Sequence, residues 1–358
     1  MMLFLFITGL LLMIFGAELL VKGASRLALA LKISPLVVGL TVVAFGTSSP
    51  ELAISIESSL SGQEGITFGT VVGSNIFNVL FILGISALIL PLSVSKQLLR
   101  LDVPLMIGLS VLVLLLSLNG IVSRIEGFIL VAGLISYTTF LIFQSRKEWV
   151  QPLDSPGNQP ENSGSKPKLW IVNSILVVGG FGLLMLGSSW FLDGAESIAQ
   201  AMGVSEMVIG LTIVAAGTSM PEVVTSVMAV IRGEREMAVG NVIGSNIFNI
   251  LAVLGITAWI TPTGLEISES FIRFDVPVMI AVALACLPIF FTGGVISRGE
   301  GALLFGYYIV YTLYLILASA QYESLPVFSS AMIWFVVPIT AIVLIITVFQ
   351  QLSGRKIE

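Results

Sequence analysis

The chain has 358 residues, of which 56% are hydrophobic and 10% charged, with a net charge of −5. Soluble domains carry about one-quarter charged residues, so this balance excludes an ordinary soluble domain and points to a polytopic membrane protein. Histidine is absent and Cys286 is the single cysteine, which excludes imidazole chemistry, His-ligated metals and an intramolecular disulfide.

Apolar runs long enough to cross a bilayer of roughly 30 Å recur throughout. The hydropathy predicts spans over 2–21, 35–60, 67–91, 102–119 and 125–144. Six more follow over 170–192, 207–231, 238–261, 274–292, 300–320 and 328–350. The first lacks a basic leader and a small-residue cleavage site, so it reads as a true helix and not a signal peptide. The polar stretch Ser145 to Lys168, rich in Pro, Ser, Asn and Gly, reads as a connecting loop too short to fold alone.

The two sides of that loop are related. Gly39-Leu-Thr-Val-Val-Ala-Phe-Gly-Thr-Ser-Ser-Pro-Glu51 recurs as Gly210-Leu-Thr-Ile-Val-Ala-Ala-Gly-Thr-Ser-Met-Pro-Glu222, with ten of thirteen positions identical at an offset of 171. Gly69-Thr-Val-Val-Gly-Ser-Asn-Ile-Phe-Asn-Val-Leu80 recurs at the same offset as Gly240 to Leu251. Arg100-Leu-Asp-Val-Pro104 returns as Arg273 to Pro277, and Ser123-Arg-Ile-Glu-Gly127 as Ser297 to Gly301. Five spans per copy is an odd number, so the copies are expected upside down relative to each other, an arrangement common in transporters.

The basic residues agree. With the N-terminus outside, fourteen of the sixteen Lys and Arg fall on the cytoplasmic side and only Arg124 and Arg273 fall outside. The expected fold is therefore an all-α polytopic membrane protein of two inverted five-helix repeats, a ten-helix core, with one additional C-terminal transmembrane helix. The divisions are 1–144 for the first repeat, 145–169 for a cytoplasmic linker, 170–320 for the second repeat, and 321–358 for the extra helix and tail.

Glu51 and Glu222 sit mid-span, where an ionised carboxylate costs about 2.5–3.5 kcal/mol on insertion scales and needs a partner or an aqueous path. Thr47 and Glu51 are four apart, as are Thr218 and Glu222, so each pair shares a face of a helical backbone. Pro50 and Pro221 withhold an N–H, which is expected to free carbonyls around Ala44 to Thr47 and Ala215 to Thr218 as cation ligands. Ser74 and Asn78, mirrored by Ser245 and Asn249, put a hydroxyl and an amide oxygen on one face, either as ligands or as part of a small-residue packing surface. Asn75 and Asn246 read as packing or capping residues. Arg100 with Asp102, Arg273 with Asp275, Arg124 with Glu126 and Arg298 with Glu300 sit at span entrances and read as interfacial charge pairs and anchors outside the transport site.

The donor set is oxygen alone, which favours hard cations such as Ca²⁺ and Na⁺ over Zn²⁺ or Cu²⁺. Two carboxylates balance one Ca²⁺, two Na⁺ or two H⁺, and competition for them is the minimal logic of an antiporter. A cation channel with a paired-glutamate filter fits the acids but not the duplicated prolines. An intramembrane enzyme lacks an evident nucleophile or acid–base centre.

Gly-Thr-Ser-x-Pro-Glu in both halves, each followed by Gly-x-x-x-Gly-Ser-Asn-Ile-Phe-Asn, resembles the repeats of the Ca²⁺/cation antiporter superfamily, in particular its prokaryotic sodium/calcium exchanger branch. The resemblance covers about residues 1–320. It implies exchange of Ca²⁺ against Na⁺ or H⁺ by alternating access in a plasma membrane. It also implies that Glu51 and Glu222 bind Ca²⁺ with the main-chain oxygens of Thr47 and Thr218. Ala44, Ala215, Ser48, Ser219, Ser74, Ser245, Asn78 and Asn249 would complete flanking Na⁺ sites. The implied partners are Ca²⁺, Na⁺ and the lipid bilayer, with no resident cofactor and no nucleic acid. Some members carry aspartate at the position of Asn249, whereas both halves here carry asparagine, which leaves Na⁺ against H⁺ coupling open. The linker is too short for regulatory Ca²⁺-binding domains, and the last span lies outside the implied core.

Overall fold

The computed structural model describes residues 2–148, 166–202, 215–291 and 293–319. The span expected over 328–350, much of the linker, and the first part of the span expected over 207–231 lie outside the described residues. What is described is an all-α membrane protein. Eight continuous helices are long and apolar enough to cross a bilayer: α1 (Met2–Leu31), α4 (Glu64–Ile89), α5 (Leu98–Ser117), α6 (Arg124–Lys147), α7 (Trp170–Ala201), α10 (Arg235–Ile260), α11 (Phe271–Phe291) and α12 (Arg298–Ala318). Taken together as one broken span, α2 (Pro35–Thr47) and α3 (Ser49–Leu60), bent by 42° at their junction, are also long and apolar enough to cross, which makes nine among the described residues. The short helices α8 (Ala215–Thr218) and α9 (Met220–Ile231) occupy the corresponding place in the second half.

Several helices run past the spans expected from hydropathy. The first continues to Leu31 rather than stopping near residue 21, the sixth continues to Ala201, and helix also extends through residues 145–148 and 166–168 of the expected loop. Hydropathy marks where lipid contact ends, and a helix carrying Lys22 and Arg26 loses none of its backbone hydrogen bonds on leaving the membrane. The turn that follows α1 has Lys32 at φ 56.

The centre is built from α4 and α10. Their most apolar stretches are 72% and 83% buried, against 17% and 11% for the peripheral α6 and α12. Large apolar side chains such as Phe4, Ile125, Phe143 and Val178 are exposed on the outer helices, as lipid-facing positions require. Along one side α1 and α7 meet backbone to backbone. A Cβ placed on Gly16 would stand 2.8 Å from the Gly180 carbonyl oxygen, and one on Gly180 would stand 2.7 Å from that of Gly16. Small residues at membrane helix crossings permit this approach, and the gain is van der Waals contact.

Two features were not legible in the hydropathy. π-helical turns occur at Gly39–Val43, Asn78–Leu83, Leu98–Asp102, Asn249–Leu254 and Phe271–Asp275. Four of these form repeat-related pairs, and two begin at Asn78 and Asn249. Four two-residue strands also close the helix ends. β1 (Leu92–Ser93) pairs antiparallel with β4 (Val295–Ile296), and β2 (Ile121–Val122) with β3 (Leu265–Glu266). Each ladder joins one half to the other, and the two are equivalent under exchange of the halves.

The expected interfacial charge pairs do not form. Asp102 is fully buried and accepts from Tyr137 Oη at 2.9 Å and from Gln97 Nε2 at 3.3 Å, and Asp275 accepts from Tyr311 Oη at 3.0 Å. Arg273 pairs instead with Glu269 one turn earlier. Glu126 and Glu300 cap their own helices, taking the backbone N–H of Ser123 at 2.7 Å and Ser297 at 2.8 Å, the Ser-x-x-Glu capping box. Arg124 reaches the Trp259 carbonyl and Arg298 that of Ile89. Adjacent residues on a helix point in different directions, so neighbours in sequence find different partners.

Candidate cation site

The two acids enter the protein interior at helix breaks. The chain leaves α2 at Ser48 (φ −83, ψ 6) and resumes as α3 with Pro50 in its first turn; the second half does the same at Ser219 (φ −90, ψ 9) ahead of α9. Proline suits a first turn because its missing N–H is not needed there. Glu51 and Glu222 thus occupy first-turn positions, where the helix N-terminus favours negative charge. Both are 1% exposed.

The halves then exchange hydroxyls. Ser48 Oγ donates to Glu222 Oε1 at 2.9 Å, and Ser219 Oγ donates to Glu51 Oε1 at 2.9 Å. Ser219 Oγ also hydrogen-bonds Ser74 Oγ at 3.1 Å. Each carboxylate is fixed by the opposite repeat through one oxygen, while Glu51 Oε2 and Glu222 Oε2 are buried with no hydrogen-bond partner.

A second exchange involves four asparagines. Asn78 Nδ2 donates to Asn246 Oδ1 at 3.0 Å, and Asn249 Nδ2 donates to Asn75 Oδ1 at 3.1 Å. Asn75 and Asn246 in turn donate to each other's carbonyl oxygens at 3.3 and 3.4 Å. With their amide hydrogens directed this way, Asn78 Oδ1 and Asn249 Oδ1 are left buried and unpartnered, as is Ser245 Oγ. Asn75 and Asn246 therefore do more than pack: they aim the amides of Asn78 and Asn249.

Five buried oxygens without partners, two of them on carboxylates, is a large local deficit. An unsatisfied buried polar group costs about 1–3 kcal/mol, and more when charged. A hard cation repays that deficit, since Ca²⁺ takes six to eight oxygens and Na⁺ accepts the same donor types. Among the described residues no group of three or more His, Cys, Asp and Glu could hold a metal ion, so any cation held here relies on amide and hydroxyl oxygens beside the two acids.

Other expected site residues sit close by in different roles. Ala44, Thr47, Ser48, Thr218 and Ser219 are buried at the breaks, and Ala215 opens α8. The Ala44 carbonyl is not freed by Pro50. It accepts the Ser48 N–H at 3.0 Å and lies 3.4 Å from Thr47 Oγ1, because the carbonyl that loses its donor to Pro50 is that of Gly46, four residues earlier. The Thr47 hydroxyl bonds back to Val43 O at 3.1 Å and to Asn241 Oδ1 at 3.3 Å. Asn241, whose Nδ2 donates to Ser226 Oγ at 2.9 Å, was not expected at the site. It stands where the first half has Thr70, so comparing the repeats for differences in polarity would have found it. Behind it, α10 crosses α2 so closely that a Cβ on Gly244 would stand 2.6 Å from Leu40 Cα.

A profile of the family described as "Sodium/calcium exchanger protein" matches residues 1–143 and 172–317. The chain belongs to the sodium/calcium exchanger family. Within that family it is 35% identical to "Sodium/calcium exchanger MaX1" of Methanosarcina acetivorans, over 86% of this chain and 96% of the relative. It is 36% identical to "Inner membrane protein YrbG" of Escherichia coli, over 86% and 94%. A solved structure of the sodium-calcium exchanger NCX_Mj, soaked with zero Na⁺ and Ca²⁺, superposes with a TM-score of 0.74 at 30% identity, covering 88% of this chain and 98% of that one. The family is one of cation/Ca²⁺ antiporters, so the chain is a multi-pass membrane transporter and not an enzyme.

Proposed function

We propose that this protein is a secondary active antiporter that exchanges Ca²⁺ for Na⁺ by alternating access. The observation that carries the reading is the set of buried, unpartnered oxygens on Glu51, Glu222, Asn78, Asn249 and Ser245, the first four of them in mates across the two halves. Glu51 Oε2 and Glu222 Oε2 would neutralise one Ca²⁺, or the same two charges would take two monovalent cations. Asn78, Asn249, Ser74 and Ser245 would supply neutral oxygens on either side, with Ser48 and Ser219 holding the carboxylates in place. Ala44, Ala215, Thr47 and Thr218 would contribute main-chain oxygens where the helices break.

In this reading residues 1–144 and 170–320 are two inverted five-helix repeats, 145–169 is a cytoplasmic linker, and 321–358 adds a helix and a tail. The protein would sit in a prokaryotic plasma membrane with its N-terminus outside. Alternating access then follows from a site shared by two like halves of opposite orientation, each able to open toward its own side.

The deciding experiment is uptake of ⁴⁵Ca²⁺ into Na⁺-loaded proteoliposomes of the purified protein. Uptake that requires the outward Na⁺ gradient is expected. Uptake that ignores Na⁺ and follows an imposed pH gradient would replace Na⁺ by H⁺ as coupling ion, and steady single-channel current would replace exchange by a pore.

A further inference from the structure

Beyond the paired acids, α3 carries a column of hydroxyls. Glu51, Ser55 and Ser59 are spaced by four residues, lie on one face, and are 1%, 0% and 3% exposed. That face meets the end of α10, where Thr257 and Thr261 are again four apart and buried. Ser59 Oγ and Thr261 Oγ1 hydrogen-bond to each other. Both helices end at this level, α3 at Leu60 and α10 at Ile260, so they run the same way. One turn further in, Ser55 and Thr257 share a depth.

The inner pair is the telling one. Ser55 Oγ and Thr257 Oγ1 are both buried without a partner. A serine or threonine in a membrane helix usually returns its hydroxyl to the carbonyl one turn back, as Thr261 does to Thr257 O at 2.7 Å. Ser55 and Thr257 decline that bond and leave donor and acceptor capacity at the level between Glu51 and the Ser59–Thr261 contact.

The related half breaks off. From Glu222 the matching positions on α9 are Ser226 and Val230, and α9 packs against the end of α4, where the matching positions are Ser86 and Leu90. Ser86 Oγ is unpartnered as well, but the next level is apolar: Val230 is 1% exposed and Leu90 packs against the core. Hydroxyls run two turns, about 11 Å, away from Glu51, and one turn away from Glu222. The packing differs along with the hydroxyls: α9 lies closely along α1, whereas among the described residues α3 has no comparable packing along α7.

We propose that Ser55, Thr257, Ser59 and Thr261 form a narrow hydrated path by which a small monovalent cation reaches Glu51, with the Ser59–Thr261 hydrogen bond at its mouth. The path opens on the face of the Gly62 and Gly264 turns, which the lysine and arginine count assigns to the outside. Val230 and Leu90 close the equivalent route on the opposite face. This deepens the exchange reading above and rests on it for the identity of the cation, while the existence of the path is testable without transport.

In a Cys286→Ser background, the variants Ser59→Cys, Ser55→Cys and Val230→Cys are reconstituted in sealed, oriented vesicles. Ag⁺, a small thiol-reactive monovalent cation, is added to one face with a thiol scavenger trapped on the other. After quenching and unfolding, maleimide labelling read by mass reports the thiols that escaped Ag⁺. The path predicts that the thiols of Ser59→Cys and Ser55→Cys are consumed from the Gly62 face, and that Val230→Cys is consumed at least tenfold more slowly from either face. A Ser55→Cys thiol that survives, that reacts only from the other face, or that reacts no faster than Val230→Cys overturns the proposal. As a second measure, Ser59→Val with Thr261→Leu, which installs the residues of the other half, is expected to slow exchange tenfold or more while Ca²⁺ still raises the melting temperature. Unchanged exchange in this variant also overturns the path. If the unaltered protein shows no exchange but Ser55→Cys reacts as predicted, the exchange reading falls and the path stands.

Discussion

Ser48 lies three residues before Glu51, yet its hydroxyl donates to Glu222 Oε1 at 2.9 Å. The mate of this bond, from Ser219 to Glu51, has the same length. Neither half orients its own acid, so neither half holds a finished site. A cation bound between the acids therefore couples the two halves, which is what a transporter built from two like parts requires.

The first prediction tests that crossing. A hydrogen bond to a charged group contributes about 1.5–3 kcal/mol, and 1.4 kcal/mol is a factor of ten in affinity. Ser48→Ala and Ser219→Ala should each raise the KM for Ca²⁺ by about tenfold, and by similar factors because the bonds are equivalent. Ser→Thr at either position should recover most of the loss. The Ca²⁺ dependence of ⁴⁵Ca²⁺ uptake measures this, and a large effect at one serine with none at the other would contradict a shared site.

The carboxylates themselves make a prediction that needs no transport. A ligand that binds only the folded state stabilises it by about 2.7 kcal/mol when present at a hundred times its Kd. Glu51→Gln and Glu222→Gln keep the size of the side chain and the acceptor for the serine hydroxyl but remove the charge. Each should abolish exchange and also abolish the Ca²⁺-induced rise in melting temperature of the detergent-solubilised protein. A Gln variant that still shows the rise would place Ca²⁺ elsewhere.

Asn249 tests how charge sets the coupling. Its Oδ1 is buried with no partner, and its Nδ2 is held by Asn75. Asn249→Asp adds a third carboxylate, and an uncompensated buried charge costs several kcal/mol. The variant should recruit an additional monovalent cation per cycle, read as a steeper Na⁺ dependence of Ca²⁺ release. Asn78→Asp, on the equivalent position, should act in the same direction. Unaltered Na⁺ steepness in both variants would mean that these amides do not face the transported ions.

Much of this architecture could be read from the residues because the repeat doubles every signal. Glu51 and Glu222, their prolines, and the serine and asparagine spacings were visible as matched pairs in an apolar background. What could not be read was which half each hydroxyl serves, since sequence spacing reports neighbours along one helix and the Ser48–Glu222 bond joins residues 174 positions apart. The roles of Asn75 and Asn246 were hidden for the same reason. Pro50 was expected to free carbonyls around Ala44 to Thr47; its missing N–H affects the one four residues back, at Gly46, while the Ala44 carbonyl keeps the Ser48 N–H as donor. The charge pairs failed because Asp102 and Asp275 turn inward to tyrosines on another helix, a contact that adjacency in sequence cannot show.

Those tyrosines give the last prediction. Tyr137 Oη donates to Asp102 at 2.9 Å and Tyr311 Oη to Asp275 at 3.0 Å. The two bonds are repeat mates, but Asp102 is fully buried and Asp275 is only partly so. Water can replace the lost donor at Asp275 and cannot do so as readily at Asp102, where Gln97 at 3.3 Å is the remaining side-chain donor. Removing one partner of a buried polar pair costs about 1–3 kcal/mol when the other is left unsatisfied, and much less when solvent takes over. Tyr137→Phe should therefore lower the melting temperature by several degrees more than Tyr311→Phe. Asp102→Asn with Tyr137→Phe should recover part of the loss, since the charge that needed the hydroxyl is gone. Equal destabilisation by the two Phe variants would show that burial does not distinguish the sites, and no recovery in the double variant would assign the cost to lost packing around the Tyr137 ring.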